Sequence, residues 1–214
     1  MRTVVCYGDS NTHGAGPVTP VRYPADVRWT GVLAAELAGV ARVVEEGLNG
    51  RTTVWDDPYT DGRNGRTYLL PCLRSHQPVD VLVLMLGTND LKSIFGRNAV
   101  EIAAGAGALI DIALMSAAGP DGGRPAVLLV APPRLGPATD RSEAWGFGAA
   151  RAVSERLPAA YRVTAEMKGA EFLDASVLVG GDPADGVHLN AVDHGILGQA
   201  VARAVRGMLE VDAD

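Results

Sequence analysis

Thr3-Val4-Val5-Cys6 runs directly into Tyr7-Gly8-Asp9-Ser10-Asn11-Thr12-His13-Gly14. The β-branched run favours a strand, and the glycines with Asp, Ser and Asn favour a sharp turn after it. A serine at a strand's carboxyl end, before a helix start, is a common position for a nucleophile. In an open α/β sheet, ligands bind outside the carboxyl ends of the strands. A helix start also directs free backbone N–H groups at an anion. Taken alone, Ser10 reads best as a cap or turn residue, and the rest of the chain decides.

Outward from that stretch, short β-branched runs alternate with longer helical ones. Residues 2–7 read as the first strand. Residues 26–38 read as a helix, with Trp29, Val32, Leu33 and Leu37 at helical spacing and Gly39 as a stop. Residues 40–46 read as a second strand and 47–66, rich in breakers, as a long loop. A short helix over 67–76 precedes Pro78. Residues 79–86, Val-Asp-Val-Leu-Val-Leu-Met-Leu, suit a strand buried on both faces of a parallel sheet. Helix is expected over 98–118, strand over 126–131, irregular loop over 133–146, and helix over 147–168 with a break at Pro158. A last short strand at 170–174 and an amphipathic helix over 191–209 close the chain. Five strands alternating with helices predict a three-layer α/β/α sandwich with a five-stranded parallel sheet. The flavodoxin-like order 2-1-3-4-5 puts the first strand, and Ser10, at the switch point.

The bounds agree with an ordinary globular protein. The 214 residues are 47% apolar with net charge −6, and read as one domain spanning 1–214. No block of like charge argues for nucleic acid or an anionic membrane as the main partner. No basic-then-apolar leader and no membrane-length apolar run is visible, so a cytoplasmic location is expected. Cys6 and Cys72 suggest no disulfide framework. The histidines are His13, His76, His188 and His194. Asp185, His188, Asp193 and His194 cluster locally, but their spacing fits no zinc motif, and neither a metal nor another cofactor is expected.

There is no G-x-S-x-G elbow, Walker loop or G-x-G-x-x-G at a strand end. Instead, four polar blocks follow strands or precede the last helix: Gly8-Asp9-Ser10, Asn49-Gly50-Arg51-Thr52-Thr53, Gly87-Thr88-Asn89-Asp90 and Asp185-Gly186-Val187-His188. A parallel sheet brings all four to one rim. Each has a plain reading alone: a turn at Gly50, a cap at Asn89, an Asx turn at Asp185, a surface histidine at His188. Ester cleavage through serine gives every one a role. It needs a base in reach of the hydroxyl, commonly His, and an acid to orient it. It also needs donors for the developing oxyanion, each worth roughly 3–4 kcal/mol. The Ser10 and Gly50 N–H groups and the Asn89 amide suit that task. Asp182 is a weaker candidate for the orienting acid. His194 is a weaker candidate for the base, and inside the predicted helix it reads as a surface residue.

These blocks resemble the SGNH hydrolases, the GDSL esterase/lipase superfamily. Its Gly-Asp-Ser block matches Gly8-Asp9-Ser10, with Asn11 where leucine is usual. Its glycine block matches Gly50, its Gly-x-Asn-Asp block Gly87 to Asp90, and its Asp-x-x-His block Asp185 to His188. Asp26-Val27-Arg28-Trp29-Thr30-Gly31-Val32-Leu33, Glu45-Glu46-Gly47-Leu48 and Met85-Leu86-Gly87-Thr88-Asn89-Asp90 are similar to the bacterial arylesterase/acyltransferase branch. The resemblance implies a catalytic Ser10, Asp185 and His188 and an oxyanion hole of Ser10, Gly50 and Asn89. It further implies small acyl esters as substrates, water, alcohol or peroxide as acyl acceptor, and a homo-oligomer; a carbohydrate acetylesterase or a thioesterase/lysophospholipase on the same scaffold is the alternative, and a non-catalytic flavodoxin-like binding module a remote one. His13 and Ala15 stand where bulkier aromatics occur in that branch. Asn11, His13 and Trp55 are the expected substrate contacts. Loops 11–25, 51–66 and 133–146 are expected to shape the pocket walls. Trp55, Tyr59 and Tyr68 suit either an interface or packing on their own subunit.

Overall fold

A computed structural model describes residues 1–19 and 21–211. Strands β1 (Arg2–Gly8), β2 (Ala41–Gly47), β3 (Val81–Met85), β4 (Ala126–Ala131) and β5 (Glu171–Asp174) form one parallel sheet in the order β2-β1-β3-β4-β5. The helices are α1 (Ser10–His13), α2 (Trp29–Glu36), α3 (Gly65–His76), α4 (Ala99–Leu114), α5 (Asp140–Ala144), α6 (Arg151–Ser154), α7 (Leu157–Lys168) and α8 (Ala191–Val211). The predicted fold class and strand order are those observed.

Alternation along the strands builds two cores. Val5, Tyr7, Leu82, Leu84, Val127 and Leu129 pack under α3, α4 and α7. Val4, Cys6, Val81, Val83, Leu128 and Val130 pack under α2 and α8. Each fully buried Val or Leu contributes about 1.5–3 kcal/mol over the exposed side chain. Because both faces of β3 are apolar, burial alone does not penalise a one-residue slip there. The acid in the run supplies the register. Thr3 N–H donates to the Asp80 carboxylate at 2.7 Å and Asp80 N–H to Thr3 O at 2.9 Å. Ala126 N–H donates to Asp80 O at 2.9 Å, so one residue aligns β1, β3 and β4.

Helix ends differ from the sequence expectation for local reasons. The helix expected from 26 begins at Trp29, because Val27 and Arg28 N–H turn back to Pro24 O. The helix expected to 118 stops at Leu114, where Ser116 Oγ bonds Ala113 O and takes the Ala118 N–H, an alternative to helical pairing. The span 147–168 is two helices. Pro158 lies in the first turn of α7, where a missing N–H costs nothing, and kinks no helix. Helix α5 interrupts the expected loop 133–146, held by a Thr139–Ser142 capping box. Helix α3 starts earlier than 67, at Gly65, behind an Asn64 cap. Among the described residues no helix is long and apolar enough to cross a membrane.

Candidate active site

The register sets the place. Gly8 ends β1 opposite Gly47 of β2 and Met85 of β3, so the next residues emerge between two other carboxyl ends. Asp9 caps α1 by accepting the Asn11 N–H at 2.9 Å. Ser10 is the first residue of α1, so its N–H has no intrahelical carbonyl to reach. Burial pushes the Asp9 carboxyl up to about 6, against its bond from Asn11 and the His188 charge.

Ser10 Oγ lies 3.0 Å from His188 Nε2, and His188 Nδ1 lies 2.7 Å from Asp185 Oδ2. The other Asp185 oxygen accepts the backbone N–H groups of Val187 and His188 at 2.8 and 2.9 Å. Asp185 is fully buried. Burial alone would raise its pKa, but the bonds from the His188 ring and the two backbone N–H groups outweigh that and hold it below the usual carboxylate value. The result is an ionised acceptor on Nδ1–H, which leaves Nε2 to accept the serine proton. The Asx-turn reading of Asp185 and the orienting role are therefore compatible, since its two oxygens serve one each.

Gly50 and Asn89 border the same cavity, of about 480 Å³, as Ser10 and His188. Gly50 has φ +78°, a left-handed backbone conformation that favours glycine. The Asn89 amide donates to Arg51 O at 3.2 Å, which fixes the side chain and leaves its second N–H. Below it, Asp90 accepts the Thr53 N–H on both oxygens at 3.1 Å and the Thr53 hydroxyl as well. Burial pushes Asp90 up to about 6 despite these bonds. The two ties lock the Gly50 loop to the Asn89 turn. In the sequence, Thr53 and Asp90 stood inside their blocks with no role assigned.

The three expected substrate contacts do not line this cavity. Asn11 is buried beneath it: its Oδ1 accepts Leu189 N–H at 3.0 Å and its Nδ2 donates to Val187 O at 3.3 Å. These partners flank His188, so Asn11 braces the histidine loop. Trp55 packs under the Arg97 guanidinium, 3.9 Å from the ring centroid. His13 is half-buried, its carbonyl accepting from Arg22. Tyr68 stacks on Tyr7, while Tyr59 is exposed. The walls come instead from Ala15, Gly16, Trp145, Phe147 and Val187, with Arg63, Lys92 and Arg141. Trp145 meets the His188 ring edge-on at 5.6 Å. Apart from Lys92, Phe147 and Val187, these residues lie in the three loops expected to shape the walls. No sequence signal marked Lys92.

His194 is a correction. It is fully buried, not a surface residue, and Trp29 N–H donates to its Nδ1 at 3.2 Å. With His188, not His194, against Ser10 Oγ, the base position belongs to His188. Asp182 spends its oxygens on Ala184 N–H and Asn190. Glu46, Cys72 and His76 bring ligand-type atoms within 4.8 Å of one another. Here His76 pairs with Glu46 at 2.9 Å, and burial pushes the Cys72 thiol up to about 12. A larger concavity of about 870 Å³ lies at the opposite rim, around Arg2, Asp80 and Glu171. It holds none of these groups.

A serine, histidine and buried carboxylate in relay on the carboxyl rim of a parallel α/β sheet define the geometry of the SGNH hydrolase fold. The family model for the GDSL-like lipase/acylhydrolase family matches residues 6–195, and the chain belongs to that family. Est24, a carbohydrate acetylesterase from Sinorhizobium meliloti, is 42% identical over 97% of this chain and 100% of its own, with TM-score 0.92. An aryl esterase from M. smegmatis is 38% identical with the same coverage and TM-score. A further carbohydrate acetylesterase family member from Sinorhizobium meliloti is 36% identical over 98% of this chain and 100% of its own, with TM-score 0.91. No curated protein matches the chain.

Proposed function

We propose that this protein is a serine esterase acting on small carboxylic esters, acetyl or short acyl, through an acyl-enzyme. The observation that carries the reading is the 3.0 Å contact between Ser10 Oγ and His188 Nε2, backed by the 2.7 Å contact to Asp185. Ser10 Oγ attacks the ester carbonyl as its proton passes to Nε2. Asp185 stabilises the imidazolium. The Ser10 and Gly50 N–H groups and the Asn89 amide receive the oxyanion. The tetrahedral intermediate collapses, the C–O bond to the alcohol breaks, and Nε2 returns the proton to the leaving oxygen. Water then attacks the acyl-enzyme with His188 again as base, and Ser10 is released with the carboxylic acid. An alcohol in water's place gives transesterification. No step calls for a metal or an organic cofactor.

The esterase names of the similar structures support the same class of reaction. Two of them are carbohydrate acetylesterases, so acetylated sugars are the second substrate class to test, beside aryl acetates. Ser10→Ala is expected to lose p-nitrophenyl acetate hydrolysis by a factor of about 10⁴ or more, together with labelling by a fluorophosphonate. Full activity in that variant overturns the assignment. Rates on aryl acetates and acetylated sugars, measured side by side, rank the two substrate classes. Light scattering tests the expected homo-oligomer.

A further inference from the structure

The chain carries net charge −6, yet the cavity over Ser10 and His188 is lined by Arg63, Lys92 and Arg141 and, among the described residues, by no carboxylate. None of the three cations forms an ion pair among the described residues. Arg63 donates to Asn49 O, and Arg141 donates to Pro17 O at 2.7 Å. Lys92 stands 5.6 Å over the Phe147 ring. Backbone carbonyls and an aromatic face fix these side chains without neutralising them. Burial lowers the Lys92 pKa and Arg63 adds to it, while Asp57, Asp9 and Asp90 oppose it from beyond ion-pair distance. The desolvated ammonium thus lies near a second cation, an arrangement that an anion entering the cavity would relieve. The remaining wall, with Ala15, Trp145, Phe147 and Val187, is apolar. It suits the body of a small aryl or acyl group.

We propose that the site selects esters that carry a carboxylate, held by Arg63, Lys92 and Arg141 while Ser10 attacks the ester carbonyl. This rests on the esterase reading and narrows it. The three cations come from separate elements: the loop before α3, the turn after β3, and α5. All three line the cavity that also holds Ser10 and His188, so the carboxylate is accepted on the alcohol side or on the acyl side. Neutral esters fill the apolar wall but leave the cations unpaired.

Two matched pairs of esters test it. On the alcohol side, 4-acetoxybenzoate is compared with its methyl ester. On the acyl side, the mono-4-nitrophenyl ester of glutaric acid is compared with 4-nitrophenyl butyrate. In at least one pair, kcat/KM for the anionic member is expected to exceed that of the neutral one by about tenfold or more at low salt. The advantage should shrink as sodium chloride screens the charges. Lys92→Met and Arg141→Met, which keep much of the side-chain bulk, should each move that ratio towards one. Neutral members hydrolysed as fast as the anionic ones in both pairs would overturn the proposal while leaving the esterase reading intact. So would a preference unmoved by salt and by both substitutions. If neither member of either pair is hydrolysed, the esterase reading falls and the selectivity with it.

Discussion

At the residue scale, the position that the family pattern leaves least explained has a definite job. Asn11 replaces the usual leucine and spends both ends of its amide on the chain around His188, Oδ1 on Leu189 N–H and Nδ2 on Val187 O. The orientation is forced, because a carbonyl must meet the amide nitrogen and an N–H the amide oxygen. Asn11→Leu leaves a buried N–H and C=O without partners, a cost of about 1–3 kcal/mol. It also loosens the loop that carries the imidazole, and a misplacement of about 1 Å can cost about 100-fold. The expected outcome is a fall in kcat of about tenfold with KM little changed, and slower fluorophosphonate labelling. Unchanged kcat and an unchanged urea midpoint would show that the brace is dispensable. Asn11 also marks the limit of sequence reading at the site. The four blocks were legible because parallel strands must deliver their carboxyl ends to one rim. Whether the side chain after Ser10 points up into the cavity or down onto the histidine loop depends on the pitch of a four-residue helix, which no pattern encodes. His194 misled for a similar reason: helical spacing placed it on a helix, but only the packing of α8 on α2 shows that its face is buried.

At the scale of elements, the strands were legible and the helix ends were not. A run such as Val81 to Met85, buried at every position, can hardly be anything but a central strand. Helix ends were lost to local competition from Ser116, Pro24 and the Thr139–Ser142 box. Helices α2 and α8 fit closely. A Cβ added at Gly198 of α8 would stand 2.6 Å from Val32 Cβ and 2.7 Å from Trp29 O of α2. The same helix holds Gly207, where an added Cβ meets nothing within 4 Å among the described residues. The two positions form a matched experiment. Gly198→Ala overpacks the pair and is expected to cost about 1–3 kcal/mol. Gly207→Ala relieves the unfolded-state entropy of glycine and is expected to gain about 0.5–1 kcal/mol. At about 2–4 °C per kcal/mol for a chain of this size, thermal unfolding separates them in opposite directions. Equal shifts would mean that α8 slides to absorb the methyl group.

At the scale of the whole molecule, three buried titrating groups set opposing pH dependences. Burial pulls the His194 pKa from 6.5 down to about 4, with the Arg28 and His188 charges adding to it. Its Nδ1 accepts from Trp29 N–H, so the proton sits on Nε2, which has no partner among the described residues, and a second proton would break the bond to Trp29. Asp9 and Asp90 go the other way, burial raising each from 3.8 to about 6. The signs follow from which state binds more protons. Between pH 6.5 and 4 the unfolded chain takes a proton at residue 194 that the folded one refuses, so His194 withdraws stability as pH falls, about 3 kcal/mol in all. Between pH 4 and 6 the folded chain keeps protons on Asp9 and Asp90 that the unfolded one releases, so each withdraws a similar amount as pH rises. The wild-type curve is flattened by this cancellation, and single substitutions unmask it. Urea unfolding across pH 4 to 7 should show His194→Asn, which retains an acceptor for Trp29 N–H, gaining on wild type as pH falls. Asp90→Asn, which retains one acceptor for Thr53, should gain on wild type as pH rises. If both variants track wild type at a constant offset, neither His194 nor Asp90 titrates differently on folding, and the opposition between them is not what shapes this protein's pH response.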